Sequence, residues 1–125
     1  MEENSGRGIL VVDDDRFILN LVIFFFESVG LEVHCAANGE EALRKIGERP
    51  YMLMITDLNM PGMDGLELAR KARLMAPSMP ILLGTGSVSP EIPCLALEAG
   101  IDTVFTKPYN LTEVLATVQR RINAE

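Results

Sequence analysis

Five short runs of apolar, largely branched residues, at 9–12, 33–36, 52–56, 81–84 and 103–106, each lead into a longer stretch of helical period. That alternation constrains the chain more than any other feature, because strands separated by helical segments are the mark of a parallel α/β sheet. The runs around Ile9, Met52 and Ile81 are continuously apolar, as expected of central strands covered by helices on both faces. Glu32, Val33, His34 and Cys35 alternate polar with apolar, which predicts an edge strand with His34 turned to solvent. Asn38, Asp64 and Asn110 each stand three residues before a glutamate, the spacing of a helix N-cap and its capping partner. A first helix is predicted over 16–29 with Gly30 as its stop, capped by Asp15. The fourth helix should begin near Pro90 and be short or irregular there because of Pro93.

A chain of 125 residues suits one hydrophobic core, so one domain is expected over 8–123, preceded by a flexible tail over 1–7. Apolar residues at 48% and charged residues at 23% are the balance of a chain that folds by itself. A formal charge of −7 opposes direct binding to nucleic acid, whose affinity depends on lysine and arginine neutralising phosphates. The acidic, polar opening lacks both the cationic start and the apolar stretch of an export signal, and no run is long enough to span a bilayer. A cytoplasmic protein without a membrane partner is therefore expected. Cys35 and Cys94 are far apart and outside any Cys-x-x-Cys spacing, so two reduced, mostly buried thiols are expected. The seven methionines are scattered as filler, and Arg120 and Arg121 complement the dipole at the end of the last helix.

In an open parallel sheet, ligands bind outside the carboxyl ends of the strands. Asp13, Asp14 and Asp15 follow the first run, Asp57 the third, Thr85 the fourth, and Lys107 and Pro108 the fifth. Carboxylates brought together repel one another unless a cation lies between them. Asp13, Asp14 and Asp57 against a single Lys107 leave two net negative charges, which one hard divalent ion cancels. Mg²⁺ suits such a set, since it takes oxygen ligands from one or two carboxylates and keeps room for water and phosphate oxygens. Lys107 and the Thr85 hydroxyl could then donate to a phosphoryl group, which brings about −1.5 to −2 charges of its own.

These pieces resemble the response regulator receiver domain, the CheY-like module of two-component signal transduction. The resemblance rests on Val12, Asp13 and Asp14, on the loop from Thr56 and Asp57 through Asn59, Pro61, Gly62 and Asp64 to Gly65, on Gly84 and Thr85, and on Thr106, Lys107 and Pro108. It covers nearly the whole chain. It implies a flavodoxin-like, doubly wound (βα)5 three-layer sandwich with a parallel five-stranded sheet of order 2-1-3-4-5. It also implies that Asp57 accepts a phosphoryl group from a sensor histidine kinase or a histidine phosphotransfer protein, forming an acyl phosphate. Asp14, Asp57 and the Asn59 backbone carbonyl would ligate Mg²⁺, or Mn²⁺ in its place, with Asp13 acting through a water. Lys107 would pair with Asp57 before transfer and with the phosphate after it, Thr85 would swing towards the phosphate, and the Lys107–Pro108 bond would be cis. The product would be a phosphorylation-activated switch that alters partner binding, a phosphoacceptor rather than an enzyme, as a monomer or a phosphorylation-dependent dimer.

Two departures from the family stand out. The position three before the lysine, where an aromatic residue is usual, holds Val104, while Phe105 beside it should face the other side of the sheet. Gly86 replaces the alanine common after the threonine. In the first helix nine of the ten residues from Phe17 to Phe26 are apolar. Ile18, Val22, Phe25 and Val29 are expected to face the core, leaving Leu19, Ile23 and Phe26 as a second stripe for docking a partner's histidine-bearing helices. An aspartyl-nucleophile phosphohydrolase of haloacid-dehalogenase type is disfavoured, because its acid/base would stand two residues after Asp57, where Asn59 cannot shuttle a proton. A flavodoxin-like cofactor binder would need a phosphate loop after the first strand, where acidic residues stand instead. A pseudo-receiver would have lost active-site residues, and none is lost.

Overall fold

The structure, a computed structural model, describes residues 8–86 and 89–123. Strands and helices alternate as β1 (Ile9–Val12), α1 (Arg16–Glu27), β2 (Val33–Ala36), α2 (Gly39–Glu48), β3 (Leu53–Asp57), α3 (Gly65–Met75), β4 (Ile81–Thr85), α4 (Ile92–Glu98), β5 (Thr103–Thr106) and α5 (Leu111–Ile122). All strand pairs are parallel, in the order β2-β1-β3-β4-β5. The three continuously apolar runs are thus the three central strands, and the alternating run is an edge. The tail expected over 1–7 lies outside the described residues.

Strand alternation divides the core between the two faces of the sheet. Leu10, Val12, Met54, Ile81 and Leu83 meet α2, α3 and α4 through Ala42, Ile46, Leu68, Ala69, Ala72 and Ala96. Ile9, Val11, Leu53, Ile55, Leu82 and Phe105 meet α1 and α5 through Leu19, Val22, Phe26, Val114 and Val118. The predicted caps form: Asp15 accepts from the Phe17 and Ile18 N–H groups, Asn38 from Glu41, Asp64 from Glu67 and Asn110 from Glu113. Gly30 and Gly62 have positive φ, the first ending the α1 turn and the second turning the loop after β3. Helix α4 has only seven residues, with Glu91 as its cap and Pro93 in its first turn.

Helix α1 is rotated from its expected phase. Leu19, Val22 and Phe26 are the buried residues, and Phe26 is wholly so, whereas Val29 is 47% exposed. Leu19 and Phe26 therefore belong to the core and not to a docking stripe; Ile18, Ile23 and Phe25 flank that core, half-buried. The stripe left open is Phe17, Leu21 and Phe24. A helix apolar on nearly every side has no phase of its own, and the sheet selects the face that packs.

Two smaller expectations also fail. His34 is half-buried: its Nε2 lies 2.8 Å from Glu32 and its Nδ1 3.2 Å from the Tyr51 hydroxyl, because Tyr51 and Arg49 fold over this edge of the sheet. Cys94 is exposed on the outer side of α4, and Cys35 is half-buried. A short surface helix has too little width to bury every apolar side chain it carries.

Candidate functional site

Each chemical group of the site stands at or just beyond the carboxyl end of a strand. Asp57 and Thr85 are the last residues of β3 and β4, one residue further into the strands than the sequence predicts for each. Asp13 continues β1 and is 2% exposed, Asp57 is 6% exposed, and Asp14 faces solvent. Carboxylate oxygens of Asp13, Asp14 and Asp57 lie within 4.8 Å of one another, the only such grouping among the described residues.

Lys107 closes this acidic cluster. Its Nζ lies 3.0 Å from Asp57 Oδ1 and 3.0 Å from Asp13 Oδ2, so it bridges two carboxylates rather than the single one predicted. The other Asp13 oxygen accepts from the Asp15 N–H at 2.9 Å, tying β1 to the cap of α1. The Lys107 N–H donates to the Thr85 carbonyl at 2.9 Å, and the Leu58 N–H donates to the Gly84 carbonyl at 2.9 Å, which fixes the three loops to one another. The Lys107–Pro108 bond is cis.

The electrostatics follow from burial and from one cation shared among several anions. Burial pushes the Asp57 carboxyl above its ordinary value; the bond from Lys107 opposes this, and the charges of Asp13 and Asp14 add to it. Burial alone would lower Lys107, but its bonds to Asp13 and Asp57 outweigh it and raise the ammonium above the usual lysine value. The ammonium gains from two carboxylates while Asp57 receives only part of one cation. Excess negative charge over oxygen ligands is what a hard divalent ion fits, so Asp13, Asp14 and Asp57 suit Mg²⁺.

Other sequence-predicted residues are placed as follows. Thr85 is buried at 2% beside the cluster, and Asn59 is exposed in the loop after β3. Val104 is half-buried against the core on the α2, α3 and α4 side, while Phe105 packs on the opposite face, as strand alternation predicts. Sequence reasoning missed Tyr109, whose ring centroid is 5.6 Å from Lys107 Nζ and whose hydroxyl end lies against Gly84. The available signal was a glycine directly before the threonine together with a tyrosine two residues after the lysine.

The chain matches the model of the response regulator receiver domain over residues 9–119. Among solved structures it is similar to a CheY-like receiver domain protein from Methanospirillum hungatei JF-1, at 35% identity and a TM-score of 0.90, covering 94% of each chain. It is similar also to the chemotaxis protein CheY4 of Vibrio cholerae, at 34% identity and a TM-score of 0.86, covering 91% of this chain and 97% of that one. A third is a response regulator from Burkholderia pseudomallei with a phosphorylated aspartic acid, calcium ion and citrate, at 28% identity and a TM-score of 0.85, covering 94% of this chain and 69% of that one. With acidic residues, threonine and lysine gathered at the ends of four strands in the order 2-1-3-4-5 sheet, and with the family's model matching most of its length, the chain belongs to the response regulator receiver domain family.

Proposed function

We propose that the receiver domain over 8–123 is a phosphorylation-activated signalling switch in which Asp57 accepts a phosphoryl group from a sensor histidine kinase or a histidine phosphotransfer protein. The observation that carries this is the Asp57 carboxylate itself: nearly buried, clustered with Asp13 and Asp14, and held at one oxygen by Lys107. An Asp57 oxygen attacks the phosphorus of a phosphohistidine; the O–P bond forms as the N–P bond breaks, and the imidazole keeps the electron pair and takes up a proton. Lys107 then follows the charge from the carboxylate to the phosphoryl oxygens, with the Thr85 hydroxyl as a second donor. Asp14, Asp57 and the Asn59 carbonyl, with Asp13 acting through a water, would hold Mg²⁺ or Mn²⁺, which would supply the positive charge that the cluster and the phosphoryl oxygens require. The relative from Burkholderia pseudomallei, with its phosphorylated aspartic acid and calcium ion, supports pairing an acyl phosphate with a hard divalent ion in this fold.

On this reading the domain catalyses only its own aspartyl phosphorylation and dephosphorylation, works in the cytoplasm, and changes its partner binding as a monomer or a phosphorylation-dependent dimer. The exposed stripe of Phe17, Leu21 and Phe24 on α1 is the surface that meets the phosphodonor's helices. Thr85 moves without an inward aromatic partner, since Val104 holds that position. Intact-mass spectrometry after incubation with acetyl phosphate and Mg²⁺ tests the chemistry: one phosphoryl mass is gained by the parent chain and none by Asp57→Ala. A phosphoryl adduct on Asp57→Ala would overturn the assignment.

A further inference from the structure

On the α1/α5 face, the carboxyl ends of four strands form a single row. Val12 pairs with Thr56, so Asp13 and Asp57 are the next neighbours on β1 and β3. Asp57 pairs with Gly84, and Gly84 with Phe105. The row runs Asp13, Asp57, Gly84, Phe105, and β4 alone contributes no side chain to it.

Tyr109 fills that gap. A Cβ built on Gly84 would collide with the Tyr109 hydroxyl and stand only 2.6 Å from its Cε1, closer than real Cβ atoms come to any neighbour. The phenol thus occupies the place of a β4 side chain, between the acceptor carboxylate and Phe105. Burial, with the charges of Asp13 and Asp57 adding to it, pushes the phenol well above the ordinary tyrosine value. The face of the same ring lies 5.6 Å from the ammonium of Lys107, within the range of a cation–π contact.

We propose that Tyr109 is a positioning residue of the phosphoacceptor site, admitted by the missing side chain of Gly84: its ring seats the Lys107 ammonium against Asp57, and its hydroxyl end backs the acceptor carboxylate from β4. This rests on the phosphoacceptor role of Asp57. Residues 84 and 109 are then a size-matched pair in which a Cβ at 84 and an aromatic ring at 109 exclude each other. The displaced ring would leave Lys107 with one partner fewer, directly beside Thr85.

The chain has no tryptophan and two tyrosines, so Tyr51→Phe leaves Tyr109 as its one tyrosine emitter. In that background Gly84→Ala should raise quenching of Tyr109 emission by acrylamide about twofold, as the ring leaves its seat. With acetyl phosphate and Mg²⁺, at a temperature where the variant remains folded, Gly84→Ala should slow labelling of Asp57 about tenfold, the coupling expected of residues in contact. In a Tyr109→Leu background, where no ring competes for the space, the same Gly84→Ala change should cost less than about threefold. Tyr109→Phe, which keeps the ring over Lys107, should label faster than Tyr109→Leu. Unchanged quenching in Gly84→Ala, or an equal cost of Gly84→Ala with Tyr109 and with Leu at 109, would overturn the pair. Absence of Asp57 labelling in the parent chain would instead refute the phosphoacceptor reading itself.

Discussion

Asp57 carries a charge that its surroundings disfavour. Its carboxyl is raised above the ordinary aspartate value in the fold, chiefly by burial. Protonated Asp57 therefore favours folding: that contribution is fully present below the unfolded value and is lost as pH rises through the folded one. At pH 7 the ionised side chain opposes the fold. Asp57→Asn should raise the melting temperature at pH 7 by about 4 °C, equivalent to about 1 kcal/mol, with the gain shrinking as the pH approaches 4. Thermal melts of both chains across that pH range decide it, and a lower melting temperature for Asp57→Asn at pH 7 would contradict the electrostatic account. The identity of the acidic residues, Thr85 and Lys107 was legible because each follows a recognisable strand. That Lys107 divides itself between Asp13 and Asp57, and that Tyr109 lies against Gly84, was not legible, because both depend on the register of neighbouring strands.

At the scale of the element, α1 shows what local pattern leaves undetermined. Its start was readable, since Asp15 accepts from two N–H groups of the first turn whatever the helix packs against. Its buried face was not, because so many of its residues are apolar that several phases bury similar area. Phe26, wholly buried, and Phe24, 77% exposed, sit two residues apart and separate the alternatives. Phe26→Ala should cost about 3–5 kcal/mol in urea unfolding. Phe24→Ala should change it by no more than about 0.5 kcal/mol. Equal losses would mean that the helix packs in another phase. Replacing Phe17 and Phe24 together by lysine should slow phosphotransfer from a cognate histidine donor while leaving labelling by acetyl phosphate intact; an unchanged donor rate would remove this stripe from the interface.

For the whole molecule, the cluster of like charges at one end of the sheet ties stability to the cation. An ion that binds only the folded chain stabilises it by RT ln(1 + [L]/Kd), about 2.7 kcal/mol at a hundredfold excess over Kd. Mg²⁺ should therefore raise the melting temperature of the parent chain, EDTA should reverse the shift, and Asp57→Ala should show little of it; an equal shift in Asp57→Ala would place the ion elsewhere. Among the described residues, no helix is long and apolar enough to cross a membrane. The sequence by itself determined the alternation of five strands and five helices, their caps, the central and edge strands, and the chemical inventory at the strand ends, because these depend on periodicity and on residues adjacent along the chain. Only the tertiary structure decided the phase of α1, the covering of His34 by Tyr51 and Arg49, the sharing of Lys107 and the seat of Tyr109. Those features arise where segments distant in sequence compete for the same space and the same charge, and no local pattern records the outcome of that competition.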